Sequence, residues 1–239
     1  MIRYLLNIVY ASSLLFLSCQ QDTPAPDLSA MDTPNPSSYQ YSYLALGDSY
    51  TIGESVLESE RWGVLLANSL RNNKVSVANP TTIARTGWTT GELLAAIEAR
   101  KLQGTFDLVS LLIGVNNQYR GQSPELPFRS EFKELLAIAI KFGKGNPANV
   151  IVLSIPNWSL TPFGSGSNKE LMTKQIAAYN AIIQEECKKA NVSFIDITPL
   201  TEKAKDDLTY VANDGLHYSG RMHMEWANAA LPEALKILK

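Results

Sequence analysis

Cysteine and histidine are nearly absent from this sequence: two of each in 239 residues, Cys19 with Cys187 and His217 with His223. No C-x-x-C or similar ligand spacing exists, which excludes a structural zinc site. Cys187 stands in a helical run, QEECKKA, and reads as a buried or half-buried free thiol. Strong charge of one sign is missing as well. The net charge is −2 and no basic run exceeds two residues. A Lys/Arg-rich face drives phosphate neutralisation in nucleic-acid binding, so a nucleic-acid partner is not expected. The apolar stretch near the N-terminus is too short and too interrupted for a membrane-spanning helix of about 20 residues. What is present is ordinary for a globular protein: 45% hydrophobic and 18% charged residues, enough for one sizeable core.

The N-terminal segment carries an address. Arg3 is followed by a mostly apolar stretch to Leu17, then small Ser18 and Cys19. That layout predicts a signal peptide over residues 1–18. Phe16-Leu17-Ser18-Cys19 resembles a bacterial lipoprotein box, in which the cysteine becomes the lipidated N-terminus; Phe16 departs from it, since leucine is more usual there. Between Gln20 and Ser38 lie four prolines and few bulky apolar residues. Such a segment cannot bury enough surface to order itself, so residues 19–38 are expected to be an extended tether. Residues 39–239 are left as one folded domain. The expectation is an exported cell-envelope lipoprotein, periplasmic or outer-surface, held to the membrane through lipidated Cys19, with plain secretion as the alternative.

From Tyr41 onward, short apolar runs alternate with helical spacing. Strands are predicted over 43–46, 75–78, 108–113, 150–155 and 192–195. Helices are predicted over 62–70, 92–100, 130–142, 169–190 and 220–238. Leu108–Ile113 and Val150–Ile155 are apolar almost without interruption. Strands of that kind are covered on both faces, as in a parallel sheet between helix layers. The predicted fold class is therefore α/β, a three-layer α/β/α sandwich with a mostly parallel sheet of about five strands. Such sheets place ligands at the carboxyl ends of their strands.

The polar motifs fall at those ends. Gly47-Asp48-Ser49 follows the first strand, Gly87-Trp88-Thr89-Thr90 the second, and Gly114-Val115-Asn116 the third. Asp214-Gly215-Leu216-His217 precedes the last helix. A serine hydroxyl is a poor nucleophile unless a base takes its proton. Of the two histidines, His217 is the better placed, because Asp214 three residues earlier lies within one turn of it and can hold its Nδ1–H. Gly47 would permit the tight backbone that leaves Ser49 exposed.

In type, order and approximate spacing these four blocks resemble those of SGNH/GDSL hydrolases, and the likeness runs from about Tyr43 to the end. The resemblance implies the flavodoxin-like fold of that family and a serine esterase working through an acyl-enzyme, with Ser49, Asp214 and His217 as catalytic triad. It also implies three oxyanion donors: the backbone N–H groups of Ser49 and Gly87, and the side-chain amide of Asn116. No metal or organic cofactor is required. The expected partner is a small-molecule, glycan or lipid ester, with a small or medium acyl group. A lysophospholipase or thioesterase is the alternative within the class, and a non-catalytic lipid- or glycan-binding lipoprotein the alternative outside it. Singly, each block also has a plainer reading. Gly-Asp-Ser and Asp214-Gly215 are common turns, Gly114-x-Asn116 can end a strand, Gly87 can lead into a capped helix, and His217 can be structural. Asp48 is expected to orient its turn and His223 to be structural or surface. Asn117, Tyr119, Tyr50, Trp88, Trp158 and Phe163 are pocket candidates with core or loop alternatives.

Overall fold

In the computed structural model, which describes residues 38–239, the continuous apolar runs become the inner strands of one sheet. Its strands are β1 (Tyr43–Gly47), β2 (Thr81–Ala84), β3 (Leu108–Leu112), β4 (Val150–Leu153) and β5 (Ser193–Ile195). All pair in parallel, in the order β2-β1-β3-β4-β5. Every residue of β1, β3 and β4 is buried, whereas the edge strands β2 and β5 are partly open. Each fully buried Val, Leu or Ile contributes roughly 1.5–3 kcal/mol, so the three inner strands anchor the domain.

The helices are α1 (Ser49–Ile52), α2 (Trp62–Asn72), α3 (Thr90–Arg100), α4 (Val115–Tyr119), α5 (Phe128–Phe142), α6 (Lys169–Ala190) and α7 (Gly220–Leu238). The α2 helix packs on α7, and α5 packs between α3 and α6. Helical spacing explains the first pair: Trp62, Leu66 and Leu70 of α2 and Met222, Trp226, Ala230 and Ala234 of α7 are all buried. The alanines of α7 allow a close approach. On α6, Cys187 is buried and unpaired, and burial, then the Glu186 charge, pushes its thiol up to about 12.

One strand lies elsewhere than the sequence pattern places it. Residues 75–78 read as the second strand, but β2 is Thr81–Ala84, beyond Pro80. Val75 and Val77 are buried, yet the segment makes only an isolated bridge between Val77 and Tyr41. The apolar alternation there marks core plugs; the true strand is an edge with one buried residue, Ile83, and so has little hydrophobic signature. The expected signal peptide, Cys19 and nearly all of the expected tether lie outside the described residues.

The order of strands reverses direction at β1: the chain runs from β1 to β2 on one side and to β3 on the other. The carboxyl ends of β1 and β3 flank that switch point, where open α/β sheets form their crevice.

Candidate active site

Ser49 opens α1 directly after β1. Asp48 is the N-cap, and its Oδ1 accepts the Tyr50 N–H at 3.1 Å. The strand can turn this sharply because position 47 lacks a side chain: a Cβ on Gly47 would collide with the Thr51 hydroxyl and the Leu112 carbonyl oxygen. Ser49 is buried against this turn but lines a cavity.

His217 lies 168 residues further on, in the segment before α7, and lines the same cavity. Its Nδ1 is 2.6 Å from Asp214 Oδ2. A carboxylate only accepts, so Nδ1 carries the proton and Nε2 is the acceptor of the neutral ring. Asp214 is itself fixed. Its Oδ1 takes the backbone N–H groups of Leu216 and His217, each at 2.9 Å, and its Oδ2 also takes the Ser55 hydroxyl at 2.7 Å. Burial acts to raise the Asp214 carboxyl, but these hydrogen bonds outweigh it and hold the group well below the usual carboxylate range. The ring of Tyr50 meets that of His217 edge-on, with centroids 5.5 Å apart. Among the described residues no hydrogen bond joins the Ser49 hydroxyl to that ring; such contacts are often long in free enzymes and tighten as substrate binds.

The loop after β2 is tied to the cavity wall through Asn116. Asn116, at the start of α4, lines the cavity and donates from Nδ2 to the Trp88 carbonyl at 3.0 Å, which leaves its second N–H free of that bond. Gly87 has φ +86, a conformation that glycine adopts without strain. Its carbonyl accepts from Arg120 Nη2 at 2.6 Å, and Arg120 Nη1 is paired with Glu92 at 3.1 Å. The loop is thus clamped at two successive carbonyls. Gly87 itself is not among the cavity-lining residues.

The cavity holds about 120 Å³. Its polar members are Ser49, Asn116 and His217, and Tyr50, Val115, Tyr119, Trp158, Phe163 and Leu216 supply the rest of the wall. Trp158 is fixed by its indole N–H on Gln118 Oε1 at 2.8 Å. Tyr119 and Phe163 stay about half exposed, with ring centroids 5.3 and 6.0 Å from that of Trp158. Asn117 is buried away from the cavity, where it bonds the Thr90 backbone N–H and hydroxyl. Trp88 joins only through its carbonyl. Among the described residues no group of three or more His, Cys, Asp or Glu side chains is placed to hold a metal ion.

Two buried groups behind the site titrate in opposite senses. Burial pushes the Asp48 carboxyl up to about 7, although the Tyr50 N–H works against it. Burial pushes the His223 imidazole, stacked on Trp226, down to about 3, with the Glu60 backbone opposing. The ordinary values are about 3.9 and 6.5. Asp48 therefore stabilises the fold below pH ~4 and loses that contribution as pH rises towards 7. His223 contributes above pH ~6.5 and loses it as pH falls towards 3. Between about pH 4 and 6.5 the two slopes cancel. Measured against wild type by urea unfolding across that window, Asp48→Asn should gain stability as pH rises and His223→Leu should lose it. A difference between Asp48→Asn and wild type that does not change with pH would refute the assignment.

Of the sequence-predicted site residues, the structure gathers Ser49, Asn116 and His217 around one cavity and sets Asp214 behind His217. It also brings in Tyr50, Tyr119, Trp158 and Phe163. Sequence reasoning missed Ser55 and Arg120. Neither lies in a motif block, and their partners Asp214 and Gly87 are 159 and 33 residues away. No local pattern points to them.

A family model described as the GDSL-like lipase/acylhydrolase family matches residues 45–224. No curated protein matches the sequence. Among solved structures, TesA superposes with a TM-score of 0.64 at 19% identity, covering 82% of this chain and 99% of its own. The lipase/acylhydrolase from Enterococcus faecalis gives 0.62 at 20%, covering 83% and 97%. The acetylxylan esterase Axe2 from Geobacillus stearothermophilus gives 0.57 at 19%, covering 82% and 94%. At these identities the likeness is one of fold.

Proposed function

The chain belongs to the GDSL-like lipase/acylhydrolase family of hydrolases, and from that footing we propose that it is a serine esterase cleaving small acyl groups from carboxylic esters through an acyl-enzyme. Ser49 Oγ attacks the ester carbonyl carbon while His217 Nε2 takes the hydroxyl proton. Asp214 holds the ring through Nδ1 and stabilises the imidazolium as it forms. The oxyanion is met by the N–H groups of Ser49 and Gly87 and the Asn116 amide; Gly87 enters on the family resemblance and the clamp on its loop. When the intermediate collapses, the bond to the alcohol oxygen breaks and His217 returns its proton to the departing alcohol. Water then attacks the Ser49 ester, gives a proton to His217, and the acid leaves as Ser49 regains its hydroxyl.

The observation that carries this reading is the His217–Asp214 bond at 2.6 Å behind a ring that shares one cavity with Ser49 and Asn116. Cavity size supports the acyl class. A dry cavity of about 150 Å³ accommodates benzene, so 120 Å³ suits an acyl group of a few carbons. Rates on p-nitrophenyl acetate, butyrate and octanoate test both points. Acetate and butyrate are expected to exceed octanoate in kcat/KM. A preference for octanoate would favour the longer-chain acylhydrolase reading. No turnover, with no labelling by a fluorophosphonate probe, would leave a binding protein.

Asn116→Ala is expected to lower kcat by roughly 10²–10³-fold, the usual cost of removing one oxyanion donor, with near-wild-type unfolding. A kcat within a few-fold of wild type would remove Asn116 from the role. In this reading Cys19 carries a lipid anchor, which would present the site outside the cytoplasm. Mass spectrometry of the native N-terminus decides that point, and an unmodified thiol at Cys19 would reject it.

A further inference from the structure

We propose that Ser55 is a positioning residue for the Asp214 carboxylate, set by the turn that follows the nucleophile helix. This rests on the reading of Ser49, His217 and Asp214 as one relay, and goes beyond it by adding a fourth member.

The Ser55 hydroxyl lies 2.7 Å from Asp214 Oδ2. It is the donor, because a carboxylate below its usual range has no proton to give. The same oxygen receives His217 Nδ1–H. Oδ1 is fixed by two backbone N–H groups, so Ser55 and His217 supply the remaining pair of bonds. With both on Oδ2, the carboxylate cannot swing without losing one of them.

Backbone geometry points the same way. Ser55 has φ +63, the left-handed region that disfavours residues with a Cβ. Two positions earlier the chain meets the same demand at Gly53, φ +72, with a glycine. Among the described residues, the other four non-glycine residues with positive φ are Lys74, Lys101, Lys144 and Asn191. Each lies within two residues of the C-terminus of a long helix, where that conformation ends the helix. Ser55 lies three residues past the four-residue α1 and has no such duty. Strain kept where a hydroxyl is needed is typical of functional positions.

The neighbouring residue extends the logic. Glu54 accepts a hydrogen bond from the Thr86 hydroxyl, one residue before Gly87. One short turn thus links the nucleophile helix to both the triad acid and the oxyanion loop. Ser49, Asp214 and Gly87 are far apart in sequence, and Glu54 and Ser55 register them against one another.

Ser55→Gly separates this role from a structural one, because glycine relieves the left-handed strain while removing the hydroxyl. The expected result is a Tm close to wild type, because relief of the left-handed strain offsets the lost hydrogen bond, a kcat lowered about 10-fold, as for one hydrogen bond to a charged group, and an unchanged KM. Ser55→Ala should lose kcat similarly and guards against an effect peculiar to glycine. A second readout is independent of turnover. The His217 Nδ1–H proton can be followed by NMR in a Ser49→Ala background, where Ser55→Gly should broaden it through faster exchange with water. Unchanged kcat together with an unchanged resonance overturns the proposal. If the wild type proves inactive while the resonance still broadens, Ser55 positions Asp214 and only the esterase reading falls.

Discussion

Ser49→Ala is expected to lower kcat on p-nitrophenyl acetate by about 10⁶-fold, the scale on which a hydrolase loses turnover with its nucleophile. Labelling by a fluorophosphonate should disappear with it. The fold should not suffer. Ser49 is the first residue of α1, where alanine is a good helix former, and the Asp48 cap binds the Tyr50 backbone, which the substitution leaves intact. The backbone N–H of residue 49 also survives, so substrate binding should change far less than turnover. Activity within about 10-fold of wild type, against the ~10⁶-fold loss expected of a missing nucleophile, would mean that another group does the chemistry and would reject the mechanism.

Asp214→Asn is expected to cost about 10⁴-fold in kcat with little change in overall shape, because the exchange is nearly isosteric and alters which ring nitrogen holds the proton. The carboxylate accepts from Nδ1 at 2.6 Å. An amide that still accepts from the Leu216 and His217 backbone N–H groups through its oxygen turns its NH2 towards the ring, and Nδ1 must then become the acceptor. The proton moves to Nε2, and the base can no longer take one from Ser49. Because Asp214 titrates below the usual range, the wild type keeps this carboxylate ionised throughout ordinary working conditions. The variant should also lose stability at neutral pH. A carboxyl with a depressed folded value stabilises the fold above its unfolded value of about 3.9 and loses that contribution as pH falls through the folded one. The test is kcat beside urea unfolding. A loss of less than about 10-fold, far short of the ~10⁴-fold cost of a misplaced ring proton, would show that the carboxylate does not govern the ring.

Much of this protein is legible along the chain. The continuous apolar runs of β3 and β4 announce a sheet buried on both faces, and the spacing in α6 and α7 yields their limits, because a buried helix face recurs every three or four residues. His217 and Asp214 are equally local. They stand three positions apart, so one turn brings the ring to the carboxylate. β2 is harder to read. It is a half-exposed edge whose place is fixed by pairing with β1, and no hydrophobic signature distinguishes it from the buried segment just before it.

By itself the sequence determined the fold class, the motif blocks and the partner of His217, since each rests on periodicity or on neighbours a few residues apart. Only the tertiary structure decided which groups surround the cavity, that Asn116 and Arg120 clamp the Gly87–Trp88 loop, and that Ser55 reaches Asp214 across 159 residues. Contacts at that separation arise when a sheet assembles and its loops meet at one edge. No short-range pattern encodes them, because the force that joins them is burial of the strands beneath rather than anything in the loops themselves.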